Sequence, residues 1–154
     1  MKNTVFLILT NLLLIGCTQD KNTNVVSQNL EKNNIEGSWK LVYAHIKEQD
    51  SIQVKDLNKT EFIKIINESH FAFFDQGKGS DETFTAGGGT YTYDGEDYIE
   101  TLDFINAPAY RGHVFPFKAE VKGDSLIQQG HEKIEEAGLD RYILEKYIRI
   151  TKQQ

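Results

Sequence analysis

Ala86-Gly87-Gly88-Gly89-Thr90-Tyr91-Thr92-Tyr93-Asp94-Gly95-Glu96-Asp97-Tyr98-Ile99-Glu100-Thr101-Leu102-Asp103-Phe104 reads as two strands joined by a tight turn. Asp-Gly suits a two-residue type I′ hairpin, which needs positive φ at both positions. Tyr, Thr and Ile on both flanks suit a half-buried pleated surface. With Asp94-Gly95 as the turn, Tyr93 faces Glu96, Tyr91 faces Tyr98, and Gly89 faces Glu100. Tyr91, Tyr93, Tyr98, Glu100 and Leu102 then share one face. That face is aromatic, holds one carboxylate, and is bare where the glycines sit. A face of this kind leaves room for something and hydrogen-bonds to it, where a plain core would carry Val, Ile and Leu. The alternative for Gly87-Gly88-Gly89 is a bulge or a bend at a barrel corner, and that reading is favoured. No helix follows the run, so it is not a phosphate loop.

The rest of the chain supplies more strands. Gly37 to Ile46 places Trp39, Leu41, Tyr43 and His45 on one face. A polar connection from Lys47 to about Thr60 follows, with a short helix expected near Val54 to Asn58. Strands are expected over Glu61–Asn67, with apolar residues on both faces, and over His70–Phe74. After the central hairpin, His113–Val121 is a strand in which Pro116 removes a ladder donor, so an edge or bulge is expected there. Gly123-Asp124 is a second tight turn that sets Val121 opposite Leu126 and Ala119 opposite Gln128. Arg141–Thr151 is the last strand. About eight strands, mostly in hairpins and without a long amphipathic helix, predict an all-β, antiparallel up-and-down barrel, whose closure removes edges and encloses at most one small ligand.

The first 17 residues are not read as fold. Lys2 precedes an apolar run, Val5 to Ile15, that is short of the about 20 residues of a membrane helix. It ends in Leu14-Ile15-Gly16-Cys17, which resembles the lipobox of bacterial lipoproteins, in which the chain is cleaved before an acylated Cys. The expected organisation is a signal peptide over 1–16, acylated Cys17 and a polar tether over 17–35, and the barrel domain over 36–154. Cys17 is the only cysteine, so no disulfide or thiol chemistry is expected in the domain. The expected location is the bacterial cell envelope, lipid-anchored to a membrane, on the periplasmic or the cell-surface side. The formal net charge of −6 argues against nucleic acid or an anionic surface as partner.

Gly37-Ser38-Trp39 at the start of the first strand is similar to the Gly-x-Trp signature of lipocalins. In that family an Arg from the end of the barrel packs across the Trp, and Arg149 is the matching residue. Taken with the Gly-Gly-Gly-Thr-Tyr hairpin, Phe117-Lys118, Gly123-Asp124 and Glu145 to Arg149, the chain resembles lipocalin-like (calycin-type) domains of unknown function in Bacteroidetes lipoproteins. Tyr147 departs from that pattern, where Trp is more usual. The resemblance implies a barrel that binds a small apolar or amphipathic molecule, and it supplies no catalytic residue.

The candidate ligand-binding residues are Tyr43, His45, Tyr91, Tyr98, Glu100, Phe117, Gln128 and Tyr147, with apolar walls from Leu41, Phe73, Leu102, Phe115 and Phe117. Trp39 and Arg149 are read as structural. The tyrosines either line a pocket or form an aromatic core with hydroxyls at its rim. An inward Glu100 needs Arg149, Arg111 or a ligand as partner, or a raised pKa, because an unpaired buried carboxylate is costly. Glu145, on the face of Arg149, raises the same question. His45, His70, His113 and His131 are too widely spaced for a zinc pattern, and no cofactor is expected. Three readings remain. The first is a membrane-anchored binding barrel. The second is a solid barrel whose rim loops bind an envelope protein or a glycan. The third, least favoured, is a small enzyme using Glu100 with His45 or a Tyr as acid and base; the expectation is no enzyme.

Overall fold

The structure, a computed structural model, describes residues 35–79 and 83–151. The signal peptide, Cys17 and the tether up to residue 34 lie outside the described residues, as does part of the loop after Gly79. Nine antiparallel strands follow one another: β1 Gly37–Glu48, β2 Ser51–Val54, β3 Thr60–Ile66, β4 His70–Gly77, β5 Phe84–Tyr93, β6 Asp97–Ile105, β7 His113–Lys122, β8 Ser125–Ile134 and β9 Leu139–Arg149. The order is β2-β1-β3-β4-β5-β6-β7-β8-β9, and β1 pairs again with β9. Eight strands therefore close a barrel of lipocalin-like form. β2 is an extra ribbon on the half of β1 that β3 does not reach, since β3 pairs with Gly37–Lys40 and β2 with His45–Glu48. No helix forms near Val54 to Asn58: Ser51–Val54 is a strand held by the ladder to β1, and turns follow it.

The two barrel ends differ because their connections differ. One end carries only tight turns, and two of the three are capped by their own side chains. Asn67 Oδ1 accepts the N–H groups of Ser69 and His70. Asp94 Oδ1 accepts those of Glu96 and Asp97, which holds the Asp94 carboxyl below its ordinary pKa, Asp97 contributing most. Gly123-Asp124 turns β7 into β8 with Val121 opposite Leu126 and Ala119 opposite Gln128, as the sequence predicts. The other end carries the long connections after β1, β4, β6 and β8, with 3₁₀ turns at Pro108–Tyr110 and Glu135–Ala137.

The central hairpin pairs differently from the expectation. Tyr93 faces Tyr98, and Tyr91 faces Glu100. A type I′ turn would need positive φ at Asp94, but only Gly95 has it, at 106°. The turn capped by the Asp94 carboxylate is longer by two residues, and an even shift leaves every side chain on its expected face. Beyond it a bulge falls between Gly88 and Thr90. A Cβ on Gly89 would stand 1.9 Å from the Thr101 carbonyl oxygen, and one on Gly87 2.7 Å from the Phe73 ring. The glycine run serves a bulge and close strand approach. Pro116 sits where the β7–β8 ladder stops, at Phe117–Gly130, so its missing N–H leaves no gap in that ladder.

A second bulge, between Leu41 and Tyr43, corrects the reading of the first strand. Trp39 and Leu41 point inward, the extra residue reverses the alternation, and Ala44 is the next buried residue while Val42 and Tyr43 are exposed.

The closed end is packed solid. Trp39, Tyr98 and Leu126 are fully buried there with Val121, Ala119 and Phe117. Ile35, read as the last tether residue, is buried too, and its carbonyl accepts the Trp39 indole N–H at 2.8 Å. Arg149 lies opposite Trp39 in the ladder, 4.1 Å above its ring, and donates to the Glu36 carbonyl at 2.5 Å. Gly37 has φ of 143°, and a Cβ on it would lie 2.4 Å from the Arg149 guanidinium. Gly37→Ala is therefore expected to cost about 1–3 kcal/mol in urea unfolding, from backbone strain plus a displaced Arg149.

Candidate functional site

The other half of the barrel is hollow. A cavity of about 460 Å³ opens among the long connections, within the range of small-molecule sites. Its walls are apolar: Phe62, Phe73, Leu102, Ile105, Phe115 and Ile143. Phe62 and Phe73 stack with ring centroids 5.5 Å apart, because β3 and β4 set them on neighbouring inward positions. At the mouth Lys55 pairs with Asp75 at 2.5 Å, and Arg141 with Glu132 at 2.5 Å. Thr60 also donates to Asp75. Tyr110 and Ala107 from the β6–β7 connection complete the rim.

The floor of the cavity is polar. Lys64, Glu100 and Gln128 are all buried. The Lys64 ammonium pairs with Glu100 Oε1 and donates to Gln128 Oε1 at 2.7 Å. It also lies 5.3 Å from the ring centroids of Phe71 and Tyr98 and 6.0 Å from that of Tyr147. β3, β6 and β8 each supply one inward position at the same height, so three polar side chains from separate strands meet. Glu145, from β9, is the fourth member. Its Oε2 accepts the Tyr147 hydroxyl at 2.6 Å. Glu145 sits deep in the barrel yet keeps part of its surface accessible, and what it faces is the cavity. Burial pushes its carboxyl above the ordinary pKa, against the pull of Lys64 and the Tyr147 hydroxyl. Burial, then the Glu145 charge, drives the Tyr147 phenol well up. Tyr98 is driven up by burial and then by Glu100, and its hydroxyl has no hydrogen-bond partner among the described residues.

Of the candidates read from the sequence, Glu100, Gln128 and His45 border the cavity, and so do the wall residues Phe73, Leu102 and Phe115. The others do not. The bulge in β1 turns Tyr43 outward, where its hydroxyl meets His45 Nδ1 at 3.2 Å. Tyr91 packs on Tyr98 in the closed half and donates to the Asn67 carbonyl. Tyr98, Phe117 and Leu41 are core beneath the floor, and Tyr147 supports the floor by holding Glu145. Glu100 pairs with neither Arg149 nor Arg111. Arg149 is spent at the closed end, and Arg111 donates to the Ile105 carbonyl. The partner is Lys64, which the sequence reading missed. Its signal was present: Phe62-x-Lys64-x-Ile66 alternates on one face, and Ile63 and Ile65 on the other face concealed it.

Among the described residues no group of three or more His, Cys, Asp or Glu side chains is placed to hold a metal ion. No helix there is long and apolar enough to cross a membrane. No curated protein and no solved structure matches the chain. A family does match, over residues 34–154, and its start coincides with the segment where Ile35 enters the core beneath Trp39. By that match, which spans the whole closed barrel, the chain belongs to the family described as Domain of unknown function (DUF4488).

Proposed function

We propose that this protein is a membrane-anchored, lipocalin-like binding protein of the bacterial cell envelope, which holds one small amphipathic molecule in the open half of its barrel. The observation that carries the reading is the division of the interior. One half is filled by its own side chains, while the other keeps a cavity of about 460 Å³ with aromatic walls over a buried polar floor. At about 30 Å³ for each water-sized group, that space holds roughly 15 non-hydrogen atoms. An apolar body would displace water from Phe62, Phe73, Phe115 and Ile143, and each buried CH₂ contributes about 0.8 kcal/mol. A polar end would meet Glu100, Gln128 and Glu145. Cys17 supplies the anchor in this reading, with the polar segment after it as tether.

Native mass spectrometry of the gently purified full chain, before and after solvent extraction, tests it. The expected result is an extra mass, separate from any acyl group on Cys17, that extraction removes. A clean mass together with no uptake of the neutral probe N-phenyl-1-naphthylamine would overturn the binding role. The barrel would then work through its rim.

A further inference from the structure

The polar floor is not electrically balanced, and the imbalance says what kind of polar end it takes. Among the described residues Lys64 is the only cation there, and it is used up by Glu100, Gln128 and three aromatic ring faces. The two cations at the mouth, Lys55 and Arg141, are each paired with a carboxylate. Glu145 is the carboxylate left over. Tyr147 occupies Oε2, and Oε1 has no hydrogen-bond partner among the described residues.

We propose that the cavity selects amphiphiles whose polar end is a primary amine, seated against Glu145 Oε1, and rejects those whose polar end is a carboxylate. This deepens the binding role proposed above and rests on it. An ammonium at this depth would meet one unshared carboxylate, with Glu100 behind it. In a site of low effective dielectric such a pair is far stronger than in water. A carboxylate would face Glu100, Glu145 and, at the rim, Glu132, with no cation free to meet it. A hydroxyl can donate to Oε1 without neutralising the charge, so it falls between the two. The raised carboxyl of Glu145 agrees with this arrangement: desolvation without a dedicated cation is the condition a bound ammonium relieves. The apolar part that fits is short, since roughly 15 non-hydrogen atoms fill the space.

The test is calorimetric titration of the full chain at pH 7.5 with decylamine, decanol and decanoic acid, all below their aggregation concentrations. The three share one chain length and differ in the polar end. The expected order is decylamine tighter than decanol by at least tenfold, with decanoic acid weakest. In Glu145→Gln, the at least tenfold preference for decylamine over decanol is expected to disappear. Should Glu145→Gln fail to fold by near-UV circular dichroism, Glu145→Asp, which withdraws the carboxylate by one methylene, is expected to shrink the amine preference severalfold. Decanol binding with no amine preference, decanoic acid binding as tightly as decylamine, or an unchanged preference in the variant would overturn the amine assignment and leave the binding role standing. Binding of none of the three, with no extractable mass, would overturn both.

Discussion

Replacing Lys64 by methionine is expected to destabilise the protein by about 3–5 kcal/mol, the range for removing one partner of a buried ion pair. The size follows from what is left behind. Glu100 would keep its place between Phe115 of the neighbouring β7 strand on one side and Tyr91 of β5 on the other, with no other cation paired to it among the described residues. Gln128 would lose its donor as well. A buried carboxylate in that state either takes up a proton or drags water into the barrel, and both weaken the fold. The double variant Lys64→Met, Glu100→Leu removes the stranded charge, and a buried ion pair exchanged for apolar groups is often neutral or stabilising. It is therefore expected to recover most of the loss. Urea unfolding of the two single variants and the double gives the coupling energy. A coupling below about 0.5 kcal/mol would show that Lys64 and Glu100 do not depend on each other, contrary to their placement.

Why a protein would keep such a pair is answered by the cavity. A hollow needs a floor that does not collapse, and an apolar floor would invite the walls of Phe62, Phe73 and Phe115 to close on it. Lys64, Glu100 and Gln128 join three separate strands at one height, so closing the hollow would break bonds that have no replacement. The same double variant is therefore expected to be stable yet weakened for amphiphiles with a polar end.

The barrel itself was legible because turn chemistry and alternation are local. The break between the strands expected over Glu61–Asn67 and His70–Phe74, Asp94-Gly95 and Gly123-Asp124 mark three turns in the sequence, and all three are turns at one barrel end. The hairpin's inner face survived a wrong register, because the longer turn moved the pairing by two residues. The site was less legible for two physical reasons. A bulge such as the one at Val42 adds one residue without any compositional mark, and that single residue moved Tyr43 from the expected inner face to the outside. Partners across a barrel are not neighbours in sequence: Lys64 lies 36 residues from Glu100 and 64 from Gln128. Glu100 was recognisable as a charge needing a partner. The cation was sought among arginines because β3, apolar on both faces, did not advertise which face was inside.

The closed half makes the opposite prediction, with an effect of similar size. Trp39→Ala is expected to cost about 3–5 kcal/mol, the range for truncating a large buried aromatic side chain. Trp39 is fully buried, and three things depend on it. Its ring fills the space where β1, β3 and β9 converge; its indole N–H satisfies the Ile35 carbonyl; and its face receives Arg149. Arg149→Ala leaves the ring in place and removes the cation–π contact and the bond to the Glu36 carbonyl, so about 0.5–2 kcal/mol is expected. Trp39 does not border the cavity, and the residues between it and the hollow, Leu41, Tyr98 and Leu126, are themselves packed core. The folded fraction of Trp39→Ala is therefore expected to bind decanol within twofold of the unaltered protein, measured by titration below the unfolding transition. Lys64→Met is expected to lose both stability and binding. If Trp39→Ala weakened binding in step with stability, the two halves of the barrel would be one coupled unit, and the closed end would have to be counted as part of the site.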